Sequence, residues 1–202
     1  MKSLFLQSLV LGLSLTPAVS LAHDADYYSF NLPDGFRVTN ERTVGFDKEH
    51  GLIVAARYAS GSGMSSLGVT VIVNDFGSKY SSLDAVPEKL RPHLPRAGRD
   101  QCVQIIEELD PKAKFDQDVQ CKVDSAESYC AAWSAQIDGA PTQGYCVGAW
   151  HDSLISYSFM LMGTSKTLDH GGADLDAILS RIDLKPEHGI SRREELIELA
   201  AP

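Results

Sequence analysis

The sequence predicts an α+β fold: an antiparallel β-sheet covered by helices on both faces, an α/β/α sandwich. Three observations lead there. Eight stretches rich in β-branched and aromatic residues, separated by Gly, Pro, Asp and Ser, read as strands. Residues 81–109 and 173–182 switch to the three-to-four spacing of helices. The run "VTVIVNDF", Val69 to Phe76, is β-branched and continuous, as in a strand covered on both faces.

The first strand is Tyr27 to Leu32, closed by the turn Pro33-Asp34-Gly35. Phe36 to Asn40 resumes as a strand, and Leu52 to Ala59 is the third. Residues 60–68, "SGSGMSSLG", make a small-residue loop before Val69 to Phe76, so residues 52–76 read as a hairpin with a long tip. A helix opens at Ser81, with Leu83, Val86, Leu90 and Leu94 as its apolar stripe. Pro87 fits near its first turn, and Pro92 ends or kinks it. A second helix spans about 99–109, where Cys102, Ile105, Ile106 and Leu109 face one way. Four strands follow, about 114–123, 128–137, 143–150 and 154–162, as an antiparallel meander. A last helix covers about 173–182, with Leu175, Ile178, Leu179 and Ile182 buried. Residues 186–202 are expected as a flexible tail beyond the single domain 23–185.

The chain has 202 residues, 44% of them hydrophobic, enough for one packed domain and too many for a disordered chain. It carries 18 basic and 27 acidic residues, a net charge of −9. That balance argues against a nucleic-acid partner, whose phosphates need a basic face. Residues 1–22 read as an export signal: Lys2, an apolar stretch from Leu4 to Leu15, Pro17, then small residues at Ser20 and Ala22. The stretch of about 12 residues is short of the roughly 20 a bilayer span needs. Cleavage after Ala22 is expected to leave a soluble periplasmic or secreted protein starting at His23, with no membrane span.

Four cysteines, Cys102, Cys121, Cys130 and Cys146, agree with export and read as two disulfides. Their spacings of 19, 9 and 16 residues do not fit a zinc site. A tight turn at Ser125-Ala126 places Cys121 opposite Cys130, within disulfide reach, which leaves Cys102 for Cys146. The rival set is Cys102–Cys121 with Cys130–Cys146.

Three pieces of the chain resemble the PsbP/DcrB-like family: the entry "YYSFNLPDGFRV", the hairpin "LIVAARYA…VTVIVNDF", and the closing "ISYSFMLMGTSKTLDHGGADLDAILSRIDL". The resemblance covers about residues 26–185. It implies an antiparallel sheet between helical layers, and binding or assembly in place of turnover. The chain departs from DcrB-type proteins in lacking a lipidation cysteine, and its four cysteines are not a general family feature.

Candidate chemistry is sparse. An N-terminal His23 offers copper an amine and a ring nitrogen, with His50, His93, His151, His170 or His188 as a second ligand. "ASGSGMS" around Ser62 is not a nucleophile elbow, and His170-Gly171-Gly172 reads as a plain turn. Asp116, Asp118 and Asp124 lack the glycine and glutamate of a calcium loop. The small-residue tip Ser60, Gly61, Ser62, Gly63, Met64 and Ser65 is a candidate partner-binding loop. The expectation is an exported, non-catalytic binding or assembly-accessory protein. Its partner would be a cell-envelope protein or a toxin. The alternative is a copper-binding protein or redox enzyme built on His23.

Overall fold

The computed structural model describes residues 22–48, 50–60, 67–116, 119–164, 168 and 173–201. The described chain opens with β1 (Ala22–Asp24) and β2 (Tyr28–Asn31), followed by β3 (Phe36–Asp47), β4 (Gly51–Ser60) and β5 (Leu67–Asp75). Short 3-10 turns at Phe76–Ser78, Leu83–Ala85 and Arg91–Arg96 precede α1 (Ala97–Leu109). The three-residue β6 (Lys114–Asp116) leads to a meander of β7 (Glu127–Ile137), β8 (Ala140–His151) and β9 (Ile155–Gly163). Then come α2 (Ala173–Leu179), β10 (Ile182–Leu184), α3 (Pro186–Ser191) and α4 (Arg193–Ala200).

Seven strands form one antiparallel sheet in the order β3-β4-β5-β9-β8-β7-β6. A second, small sheet has the order β1-β2-β10. The expected sandwich of helices on both faces is therefore wrong: the protein is mostly strand, with few and short helices. On one face of the large sheet lies α1, the longest helix described. The other face is packed by the small sheet, together with apolar residues of α2 and α4. Tyr28, Phe30, Ile182, Leu175, Leu179 and Leu196 meet Val54, Val71, Val147 and Tyr157 there in one core.

The helix expected from Ser81 does not form. Pro87, Pro92 and Pro95 remove three backbone donors within nine residues, and only 3-10 turns survive. Val86 and Leu94 are buried, but Leu83 and Leu90 of the same expected stripe are 48% and 38% exposed. Two further differences follow from local chemistry. The strand expected over 114–123 is cut to 114–116, and the final helix expected over 173–182 ends at Leu179, with Ile182 opening β10.

Residues 186–200, expected as a loose tail, are two docked helices. Leu196 is fully buried, and Arg193 pairs with the buried Asp75. Export is not tested by the fold, since residues 1–21 lie outside the described residues. No helix among the described residues is long and apolar enough to cross a membrane.

Helix α1 sits very close to the sheet. A Cβ on Gly98 would run into the Tyr157 carbonyl, and one on Gly148 into the Arg99 backbone. Cys102, Ile106, Trp133, Cys146 and Met160 fill the contact. The helix packs on β8 and β9, extends over β7, and reaches only the near side of β5.

Candidate functional site

The two halves of the large sheet are covered differently. Along β9, every residue from Ile155 to Leu161 is buried, so both faces are covered. Along β8 the same holds from Gln143 to Trp150. Strands β4 and β5 alternate instead. Leu52, Val54, Ala56 and Tyr58 are buried, while Ile53, Ala55 and Ala59 are partly exposed and Arg57 is exposed. Val69, Val71 and Val73 are buried, while Gly68, Thr70 and Ile72 are partly exposed. The run Val69 to Phe76 is thus covered on both faces from Val73 onward and only on one face before it. Register pairs Ala55 with Ile72 and Arg57 with Thr70, which places these residues on the face that carries α1. Among the described residues no helix lies over the β3–β5 half of that face: β4 and β5 present partly exposed apolar side chains beside α1, and β3 adds Arg37, Asn40, Thr43 and Gly45 at its margin.

Concavities mark its two ends. At the α1 N-terminal end, a cleft of about 350 Å³ is lined by His50, Phe76, Leu90, His93 and Gln101 among others. Gln101 Oε1 accepts a hydrogen bond of 2.9 Å from Asn74 Nδ2 of β5. At the hairpin end, a trough of about 530 Å³ crosses several strands and is lined by Arg57, Ala59, Thr70, Thr142 and Met162 among others. Ser60 closes β4 there and pairs with Leu67. Of the candidate loop, Ser60 is thus placed beside the trough. Gly61, Ser62, Gly63, Met64 and Ser65 lie outside the described residues.

His23 occupies a different site, on the opposite face. The Tyr58 hydroxyl is 2.8 Å from its Nδ1 and 2.7 Å from the Tyr28 hydroxyl. Burial pushes the Tyr58 hydroxyl up to about 12, opposed by its hydrogen bond with Tyr28. A cavity of about 320 Å³ opens beside this chain, rimmed by His23, Asp24, Asp26 and Arg192. The nitrogen a copper brace would use is engaged by Tyr58. His188 Nδ1 faces the Asp26 carbonyl at 2.8 Å, and His50 Nδ1 faces Asp47 Oδ1 at 2.8 Å. His93 lines the distant cleft, His151 Nδ1 accepts from the Ser153 amide, and His170 lies outside the described residues. Among the described residues no three His, Cys, Asp or Glu side chains gather as a metal-binding group.

Both disulfides of the favoured set are present. Cys102–Cys146, with Cα atoms 5.5 Å apart, staples α1 to β8. Cys121–Cys130 spans 6.1 Å and ties the 119–123 segment to β7. The hairpin register that suggested the second pair is different, however. Val123 bridges Ala126, Asp124 takes a left-handed φ of 50°, and no ladder continues to Cys121. Asp124 instead accepts from the Leu184 amide, and Asp116 sits on β6. Asp118 lies outside the described residues.

Sequence reasoning missed a charged clamp. Arg193 holds the Asp75 carboxylate through two nitrogens, at 2.7 and 2.9 Å, and Tyr27 donates to the same carboxylate at 2.7 Å. The next residue back, Arg192, binds the buried Asp26. The adjacent arginines, two residues before an apolar "LI", were the available signal.

No protein-family model matches the chain, and no curated protein is significantly similar to it.

Proposed function

We propose that this is an exported, non-catalytic accessory protein of the cell envelope that works by binding another protein. One observation carries the reading: β4 and β5 alternate between a buried face and an open one, beside strands buried on both faces. An open apolar sheet face on a scaffold stapled by two disulfides is a rigid surface suited to a partner. The same disulfides are compatible with an oxidising compartment, and the leader at residues 1–22 supports export to the periplasm or beyond. The resemblance to PsbP/DcrB-like proteins points the same way. The partner is an envelope protein or a toxin.

The test has two parts. N-terminal sequencing of the exported protein is expected to begin at His23; retention of residues 1–22 contradicts export by cleavage. Affinity capture with the intact protein should recover a partner that Ile72→Asp releases while the far-ultraviolet circular dichroism is unchanged. Recovery unaffected by that substitution contradicts this face as the binding surface.

A further inference from the structure

We infer that the bare half of the sheet receives an amphipathic helix of the partner, laid beside α1 as the second helix of the same layer. The inference rests on the reading of this face as the binding surface and adds what the partner must present there. The nine residues of β5 give a floor about 30 Å long, the length of a helix of about 20 residues. Three strands about 4.8 Å apart leave a width of about 10–14 Å, room for one helix.

The floor is Ile53, Ala55, Thr70 and Ile72, with Gly68 toward the hairpin end, and Asn40, Thr43 and Gly45 of β3 form its outer margin. Small and medium side chains let a helix approach closely and take an i, i+3, i+4 apolar stripe. The wall is α1, whose Gln101 and Gln104 offer amides to the polar flank of an incoming helix, and Leu90 adds an apolar rim.

Charge then orients the occupant. Arg37 and Arg57 are exposed near the hairpin end, and Ala59 pairs with Arg37 across the β3–β4 ladder. Neither carries an ion pair among the described residues. One acid, Asp138, lines that end. In a chain of net charge −9, this local pair of cations suits the C-terminal end of a helix, whose carbonyls are partially negative. An extended strand is the competing shape, and it would pair with the edge of β3, the terminal strand of the described sheet. The register of β3 is irregular between Val38 and Thr43, which blunts that edge.

A photo-crosslinking residue placed in turn at Ile53, Ala55, Thr70 and Ile72 of the full chain, in the cells that make it, tests this. Crosslinks landing on partner residues three and four apart support a helix. Landing sites two apart overturn the helix but leave the binding face standing. Crosslinks into residues 1–21 of the same chain, or into a second copy, overturn a foreign partner. A partner crosslinked elsewhere on the surface and not from these four positions overturns both readings. Arg37→Glu with Arg57→Glu is expected to lower crosslink yield about fivefold; an unchanged yield overturns the assigned orientation.

Discussion

Arg193 and Asp75 form a bidentate ion pair across 118 residues of sequence, with Asp75 at 0% exposure. It fixes the start of α4 to the end of β5. Removing the guanidinium strands a buried carboxylate with Tyr27 as its remaining side-chain donor. Arg193→Leu is expected to cost about 3 kcal/mol, read as a lowered urea midpoint at unchanged slope. Stability equal to the parent protein would mean that residues 186–200 are a loose tail after all.

The tyrosines predict an alkaline response. Burial holds the hydroxyls of Tyr27, Tyr28 and Tyr157 far above the ordinary range and that of Tyr58 at about 12. The unfolded chain loses these protons near pH 10, while the folded chain keeps them. Their contribution is therefore complete below about pH 10 and is lost as pH rises above it. Absorbance at the tyrosinate band should show these four of the seven tyrosines titrating together with unfolding. Titration of all seven in a folded protein near pH 10 contradicts the burial.

The disulfides differ in leverage. Cys102–Cys146 closes a separation of 44 residues and Cys121–Cys130 one of 9. Chain-entropy reasoning assigns about 4 kcal/mol to the longer loop and about 2.5 to the shorter. Replacing the first pair with serines should lower the thermal midpoint more than replacing the second. The reverse order would show that α1 is held to β8 mainly by packing.

Gly98 provides a packing test. A methyl group there meets the Tyr157 carbonyl, a backbone atom that cannot turn away. Gly98→Ala is expected to cost at least 2 kcal/mol despite the better helix propensity of alanine. A neutral result would show that α1 stands further from the sheet.

The strand meander and α1 were legible because their apolar periods are strong and their turns carry Gly, Asp and Pro. The cysteine pairing was legible from spacing, although the ladder used to argue it does not exist. Layering was not legible. A run such as Val69 to Val73 reads as apolar whichever face is covered, because Ile72 and Val71 are equally hydrophobic. What decides the matter is distant: on that face α1 lies over β8 and β9 and reaches only the near side of β5, so Ile72 is left partly exposed. The docked C-terminus was missed for a related reason. Its anchor is an ion pair with Asp75, and no local pattern joins those two positions.

Thiol labelling tests the bare face most directly. Ala55→Cys and Ile72→Cys, in protein with both native disulfides formed, are expected to react with a maleimide far faster than Val71→Cys or Ser158→Cys. Protection at position 72 equal to that at position 71 would mean that the face is already covered, and would contradict it as a docking surface.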